Sequence, residues 1–266
     1  MKDMGGQVTT VLDQEGAVLL QGDALEALRN IPSDTVDCIY ADPPYFLSNG
    51  GISCSNGKMV SVNKGDWDRS EGPEANFEWN KTWLSECRRV LKKDGTIWVS
   101  GTLHNIYGVG YAMQLLGYRI LNDIAWIKPN AAPNLSCRYF THSHETVIWA
   151  AKSEKSRHKF SYAEMKLENG GKQMRSFWTF TTPRKCEKKH GKHPTQKPEA
   201  LIDRIIRAST DVGDLVLDPF VGSGTTCVVA TRLGRRCIGI DNSPEFLEIA
   251  QKRLQDELRT PVLSAT

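Results

Sequence analysis

The sequence predicts an α/β fold, doubly wound around a mostly parallel sheet. Three observations carry that prediction. Short apolar runs alternate with helical patterns along the whole 266-residue chain. The segment LVLDPFVGSGTTCVVATRLGRRCIGID (215–241) has the pattern of a compact strand–loop–helix–strand unit. The apolar run VDCIYA (36–41) is halted by DPPY (42–45), whose two prolines cannot donate ladder hydrogen bonds. Alternation of this kind favours parallel strands joined by crossover helices. The length suits one large domain, or one domain with an inserted piece.

The elements follow in order. AVLLQ (17–21) reads as a strand, and Asp23 is placed to cap the short helix ALEALRN. VDCIYA is the next strand. Residues 46–65, rich in Gly, Ser and Asn, read as a mobile loop longer than ordinary connections. A helix over 76–93 is expected to stop at Asp94-Gly95, followed by the strand TIWVSG (96–101). A helix over 105–116 ends at Gly117, and RILNDIAWI (119–127) is a strand. The loop 128–144 carries two prolines and leads into the strand ETVIWAA (145–151). Residues 152–192 show no clear period. Order returns after HPTQKP (193–198): Pro198 stands at a first helical position, and Leu201, Ile202, Ile205 and Ile206 line one helix face. A strand (215–219), the tight loop GSG (222–224), a helix (225–233), a strand (237–241) and a final helix (244–258) complete the chain. Three parts emerge: 1–151, an inserted stretch 152–192, and 193–266.

Composition narrows the setting. Hydrophobic residues form 39% of the chain, enough for a substantial core. No apolar stretch approaches the roughly 20 residues needed to span a bilayer, and the first residues lack a signal-peptide core. Seven cysteines are scattered without a CxxC pair, so neither a disulfide framework nor a zinc site is expected, and a cytoplasmic location fits. The histidines 142, 144, 190 and 193 likewise lack metal-ligand spacing. The net charge of +3 conceals an uneven distribution. Residues 152–192 hold twelve Lys/Arg against four Glu, an excess of +8 that leaves −5 elsewhere. Such a basic stretch suits a polyanion, although a merely solvated loop region has the same composition.

The unit 215–241 predicts an adenosine-containing cofactor. Its glycines permit close backbone approach, and Asp241, seventeen residues beyond Gly224, is placed to accept ribose hydroxyls. A P-loop lysine is missing, and Cys227 stands where a dinucleotide fingerprint needs glycine. Asp218, just before the loop, would repel a pyrophosphate but favour an ammonium group. S-adenosylmethionine (AdoMet) has that ammonium and no phosphate. A tight turn serving only helix–strand packing is the plainer alternative.

Together, DPPY, HPTQKP and DPFVGSGTT in this order resemble the permuted β group of amino-methylating DNA methyltransferases. The resemblance covers nearly the whole chain, including GDALEAL near its start. It implies a seven-stranded, Rossmann-like AdoMet-dependent methyltransferase sheet with an inserted target-recognition region. It assigns catalysis to Asp42, Pro43, Pro44 and Tyr45, and cofactor contacts to Asp23, Ala24, Lys197, Asp218, Phe220, Gly222, Ser223, Gly224, Thr225 and Asp241. Asp23 reads equally well as a plain N-cap, and Lys197 as a solvated lysine at a helix start. The stretches ADPPYFLSNGGIS, SGTLHNIYGVG and APNLSCRYFTHS resemble more narrowly the second methyltransferases of Dpn-type restriction systems. This implies adenine N6 methylation within GATC, on single-stranded as well as duplex DNA.

The chemistry agrees with those roles. Adenine N6 is a poor nucleophile because its lone pair is delocalised into the ring. A carboxylate at Asp42 and the Pro43 carbonyl would each accept one N6 hydrogen bond and favour a pyramidal nitrogen. Tyr45 would stack on the base, and Phe46 would either wall the pocket or pack in the core. Arg138, Tyr139, Arg175, Trp178, Arg184 and Lys185 combine charge with aromatic surface and are the expected DNA contacts. Cytosine-N4 methylation is the competing enzymatic reading, and an idle DNA-binding regulator on the same fold is the non-enzymatic one. No cysteine follows a proline, which disfavours cytosine-C5 chemistry. Dimers are common in the β group, so the resemblance also implies a homodimer.

Overall fold

A computed structural model describes residues 7–48, 52–55, 58–61 and 68–259, the two short pieces at backbone level. Its strands are β1 (Thr9–Gln14), β2 (Ala17–Gln21), β3 (Val36–Ala41), β4 (Ile52–Ser55), β5 (Lys58–Ser61), β6 (Leu91–Gly101), β7 (Arg119–Ile127), β8 (His144–Ala151), β9 (Phe177–Thr179), β10 (Leu215–Asp218) and β11 (Arg236–Asp241). The helices are α1 (Ala24–Asn30), α2 (Pro73–Val90), α3 (Ile106–Leu115), α4 (Tyr162–Glu168), α5 (Glu199–Ser209), α6 (Thr225–Arg232) and α7 (Pro244–Arg259).

The main sheet has nine strands in the order β1-β2-β11-β10-β3-β6-β8-β7-β9. Its five central strands, β2 to β6 in that order, are parallel. β8 runs antiparallel to both β6 and β7, and β1 runs antiparallel to β2. The sheet is therefore mixed and nine-stranded, not the seven-stranded sheet expected. Two edge strands account for the excess. β1 forms a hairpin through Glu15-Gly16, and the three-residue β9 is too short to show a period. Part of the loop expected over 46–65 lies outside the described residues; within it, β4 and β5 pair as an antiparallel hairpin.

Alternation along the strands sorts the core into two layers. From β3, Val36, Ile39 and Ala41 join α1, α2 and α3 on one face. Cys38 and Tyr40 join α5, α6 and α7 on the other. Trp98 of β6 lies on that second face, its ring stacked 4.6 Å from Trp149.

The helix expected to reach residue 93 ends at Val90, because Leu91 turns extended and pairs with Val36. Gly95 is a strand residue there: a Cβ would lie 2.9 Å from the Asp37 carbonyl oxygen. Pro198 precedes α5 as its N-cap instead of occupying the first helical position. The cysteines also depart from expectation, since Cys227 of α6 and Cys237 of β11 are disulfide-bonded with Cα atoms 5.3 Å apart. Spacing along the chain hides this pairing, which arises because α6 folds back against the next strand.

Glu199 ties three helices together. It accepts 2.8 Å hydrogen bonds from Arg232 of α6 and from Arg253 of α7. Burial works to raise its pKa, yet the two guanidinium groups hold it below the ordinary 4.5. A native pKa below the unfolded value adds stability that is complete above about pH 4.5 and lost as pH falls through the native value. Thermal melts of Glu199→Gln should therefore lie below those of the parent at neutral pH and converge with them in acid. Replacing Trp98 by alanine should cost about 3–5 kcal/mol in urea denaturation, as a truncated buried aromatic does.

Candidate active site

All the strand ends that matter lie on one edge. β3 leads into Asp42, β10 into the glycine loop and β2 into Asp23, β11 ends at Asp241, and the reversed β8 begins there with His144 and Glu145. Ligands of open α/β sheets bind beyond such carboxyl-terminal ends. Because β3 and β10 are direct neighbours, the DPPY turn stands beside the DPFVGSG loop.

The backbone of the DPPY turn is clamped by a residue that the sequence reading missed. Asp68 is fully buried. Its Oδ1 accepts from the Tyr45 and Phe46 amides at 2.9 and 2.8 Å, and its Oδ2 from the Leu47 amide at 3.1 Å and the Ser48 hydroxyl at 2.9 Å. Phe46 has φ of 59°, a left-handed conformation that turns successive amides toward one anion. Asn105 donates to the Pro44 carbonyl at 3.4 Å. No local pattern marks Asp68, because its partners lie twenty or more residues away.

Asp42 sits in a buried charge cluster. Its Oδ1 accepts the Tyr45 hydroxyl at 2.6 Å, and its Oδ2 pairs closely with the Lys197 ammonium. Glu145 joins from β8: its Oε2 accepts the Tyr45 hydroxyl at 3.2 Å and lies 3.8 Å from Lys197 Nζ, while its Oε1 pairs with Lys128. Burial pushes the Asp42 pKa up, and Glu145 adds to that push against the attraction of Lys197. For Glu145, burial is outweighed by Lys197 and Lys128, so its carboxyl stays below the ordinary range. Burial opposes the Lys197 charge, but Asp42 and Glu145 outweigh it and raise the pKa. Lys197 is 6% exposed, which removes the reading of a solvated lysine. The Tyr45 ring is 4% exposed, with Lys197 Nζ 5.4 Å above it.

The glycine loop is equally braced. Gly222 and Gly224 have φ of 50° and 81°, and a Cβ on Gly224 would lie 2.7 Å from that of Ala250. Asp241 is half-buried; its Oδ2 accepts the Gly222 amide at 2.9 Å and its Oδ1 the Ser243 amide at 2.8 Å. Each carboxylate oxygen has further acceptor capacity, so ribose hydroxyls remain compatible with this arrangement. Burial raises the Asp218 pKa to about 7, and this carboxyl is turned into the loop, bonded to the Thr226 hydroxyl and the Phe220 amide. Asp23 caps α1 through the Leu25 and Glu26 amides, and Gly22 donates to the Asp241 carbonyl, which places Asp23 and Ala24 beside Asp241.

Arg253 is the second residue missed. Buried in α7, it donates to the Ser223 carbonyl at 2.8 Å and to the Thr225 hydroxyl at 2.9 Å, so the side chain of Thr225 faces the protein. Its signal in the sequence was an arginine on the helix stripe of Leu247, Ala250 and Leu254. Phe220 packs 5.8 Å from Trp79, and Trp79 lies 5.7 Å from Phe46, so aromatic rings bridge the two motifs.

Of the expected DNA contacts, Arg138, Tyr139, Arg175, Arg184 and Lys185 are exposed. Trp178 is not. It is 6% exposed, packs 6.1 Å from Trp98, and is covered by the Arg204 guanidinium at 5.1 Å. Strand alternation puts Phe177 outward in its place. The loop 128–144 is tied to the basic stretch where Asn130 donates to the Thr182 hydroxyl at 3.1 Å.

Residues 36–252 match the model of the N6/N4 DNA methylase family. The chain belongs to this family. It is 57% identical to the type II methyltransferase M2.LlaDCHI of Lactococcus lactis subsp. cremoris, over 91% of this chain and 90% of that protein. It is also 57% identical to M2.DpnII of Streptococcus pneumoniae, covering 91% of each. Identity to M2.MboI of Moraxella bovis is 45%, over 94% of this chain and 91% of that one. Among solved structures, the M1.HpyAVI–SAM complex superposes with a TM-score of 0.68 at 26% identity, covering 90% of this chain and 98% of that one. The PvuII cytosine-N4-specific methyltransferase gives 0.72 at 21% identity over 90% and 86%, a likeness of fold alone. The protein is thus a DNA methyltransferase.

Replacing Asp68 by alanine leaves buried amides without an acceptor, each costing about 1–3 kcal/mol. The variant should melt earlier and transfer methyl groups more slowly. Its AdoMet affinity, measured by calorimetry, should stay close to the parent's because the glycine loop is not touched.

Proposed function

We propose that this protein methylates the N6 amine of adenine in GATC, as the second methyltransferase of a type II restriction–modification system. The observation that carries the reading is the adjacency of β3 and β10, which puts the Asp42 carboxylate and the rigid Pro43 carbonyl beside the glycine loop. The names of the relatives M2.LlaDCHI, M2.DpnII and M2.MboI support the restriction–modification setting. Aspartate at the first position of DPPY supports adenine: within the family the chain resembles, an aspartate there points to adenine N6 and a serine to cytosine N4.

Bound AdoMet supplies an electrophilic methyl carbon on a sulfonium. Gly222, Gly224 and Asp241 would hold its adenosine side, and Lys197 would flank its methionine end. Asp42 and the Pro43 carbonyl would each accept one N6 hydrogen bond and leave the nitrogen lone pair directed at that carbon. This is preorganisation, since Asp68 and Asn105 hold the turn before any substrate arrives. Transfer needs reacting atoms roughly 3–3.5 Å apart. A base reaches this buried site only by leaving the duplex stack, at a cost of a few kcal/mol. Single strands avoid the unpairing part of that cost, so activity on both forms is expected.

Target reading is assigned to residues 152–192 with the loop 128–144, where Arg138, Arg175, Arg184 and Lys185 are exposed. A homodimer is proposed with this reading; Tyr107, Tyr111 and Leu115 form an exposed stripe along α3 that supports it. A cytoplasmic location is proposed with this reading, since it fits a DNA substrate.

Asp42→Ala should abolish methyl transfer while AdoMet still raises the melting temperature. Nucleoside mass spectrometry of the parent's products should show N6-methyladenine in GATC oligonucleotides, single and double stranded, and little in scrambled ones. N4-methylcytosine would overturn the base assignment.

A further inference from the structure

Asp42 has no unencumbered oxygen in this structure. Tyr45 holds one and Lys197 the other, yet the adenine reading requires the carboxylate to receive the target amine. Both partners have a second carboxylate within reach. Glu145 Oε2 already accepts the Tyr45 hydroxyl at 3.2 Å and stands 3.8 Å from Lys197 Nζ. Lys197 also covers the Tyr45 ring at 5.4 Å, the surface on which the extruded base would stack. The arriving base therefore meets one ammonium both beside its acceptor and over its stacking face.

We propose that Glu145 is a positioning residue that takes over Lys197 and the Tyr45 hydroxyl when the target amine occupies Asp42. The proposal rests on the amine-methylation reading above.

Chemistry favours the exchange. Moving an ammonium between two buried carboxylates conserves the local charge, so neither lysine nor aspartate is stranded unpaired. Glu145 is suited to the part because its Oε1 is anchored by Lys128, leaving Oε2 toward Asp42's partners. Lys128 and Glu145 also flank the loop 128–144, so the residue that receives Lys197 is fixed to the base of a DNA-facing loop. Nothing in the motif spacing marked Glu145; it is the second residue of a reversed strand that brings it to this edge.

A double-mutant cycle under saturating AdoMet tests the exchange. Single-turnover methylation by Glu145→Gln should fall on the order of tenfold or more, while AdoMet affinity stays within about twofold, because the loss arises after cofactor binding. In a Lys197→Met background the same Glu145→Gln change should have almost no further effect, since no ammonium then competes for Asp42. Additive losses would show that Glu145 acts only through stability and would overturn the proposal. A crystal structure of the parent with sinefungin and a target oligonucleotide gives a second reading that does not depend on variants folding. Lys197 Nζ should lie within hydrogen-bond distance of Glu145, with the amine on Asp42. Lys197 still bonded to Asp42 beside a seated amine would refute the exchange. A parent that methylates no amine would instead refute the underlying reading, so the two failures are distinguishable.

Discussion

The buried pairing of Lys197 with Asp42 joins residues 155 positions apart and ties together the two halves of the site. Taking isolated charges out of water is expensive, so such a pair survives only inside a balanced and hydrogen-bonded set. Two lysines and two carboxylates provide that balance here: Lys128 and Lys197 against Asp42 and Glu145. The same crowding explains the opposite pKa tendencies of the two acids. Asp42 shares one cation and is pushed up by burial and by its neighbour, whereas Glu145 stands between two cations and is held down. The acid expected to meet the substrate is thus the more poorly satisfied of the two.

Rigidity around this cluster comes from distant chain segments. Prolines 43 and 44 stop β3, Asp68 gathers the amides that follow, and Asn105 holds the Pro44 carbonyl. On the cofactor side, Arg253 grips the loop from beneath while Glu199 anchors Arg253. Asp68 and Arg253 are charged groups bonded to backbone, the stronger kind of hydrogen bond. Both loops are therefore shaped without a ligand, and the aromatic series Phe46, Trp79, Phe220 fixes the gap between them.

The basic stretch is fastened to the sheet as well. β9 pairs with β7, α4 supplies Met165 to the core, and Trp178 plugs the space beside Trp98. Charge remains at the surface above this plug, on Arg175, Arg184 and Lys185. Anchoring the stretch this way places its exposed groups relative to the catalytic edge, and Glu145 lies where the two meet.

Local sequence determined the strands AVLLQ, VDCIYA and RILNDIAWI and the helix ALEALRN to the residue, because each carries its own period and stop signal. It also determined the two motifs, whose prolines, glycines and acids act over a few bonds. Tertiary structure alone decided where α2 ends, that Trp178 faces inward, and that Asp68, Arg253 and Glu145 serve the site. In each case the deciding partner lies far along the chain: Leu91 is drawn into pairing with Val36, and Asp68 bonds amides of residues 45–47. Periodicity records what a residue's neighbours in sequence require. Which distant charge it will face depends on the order of the strands, and that order is a property of the folded sheet.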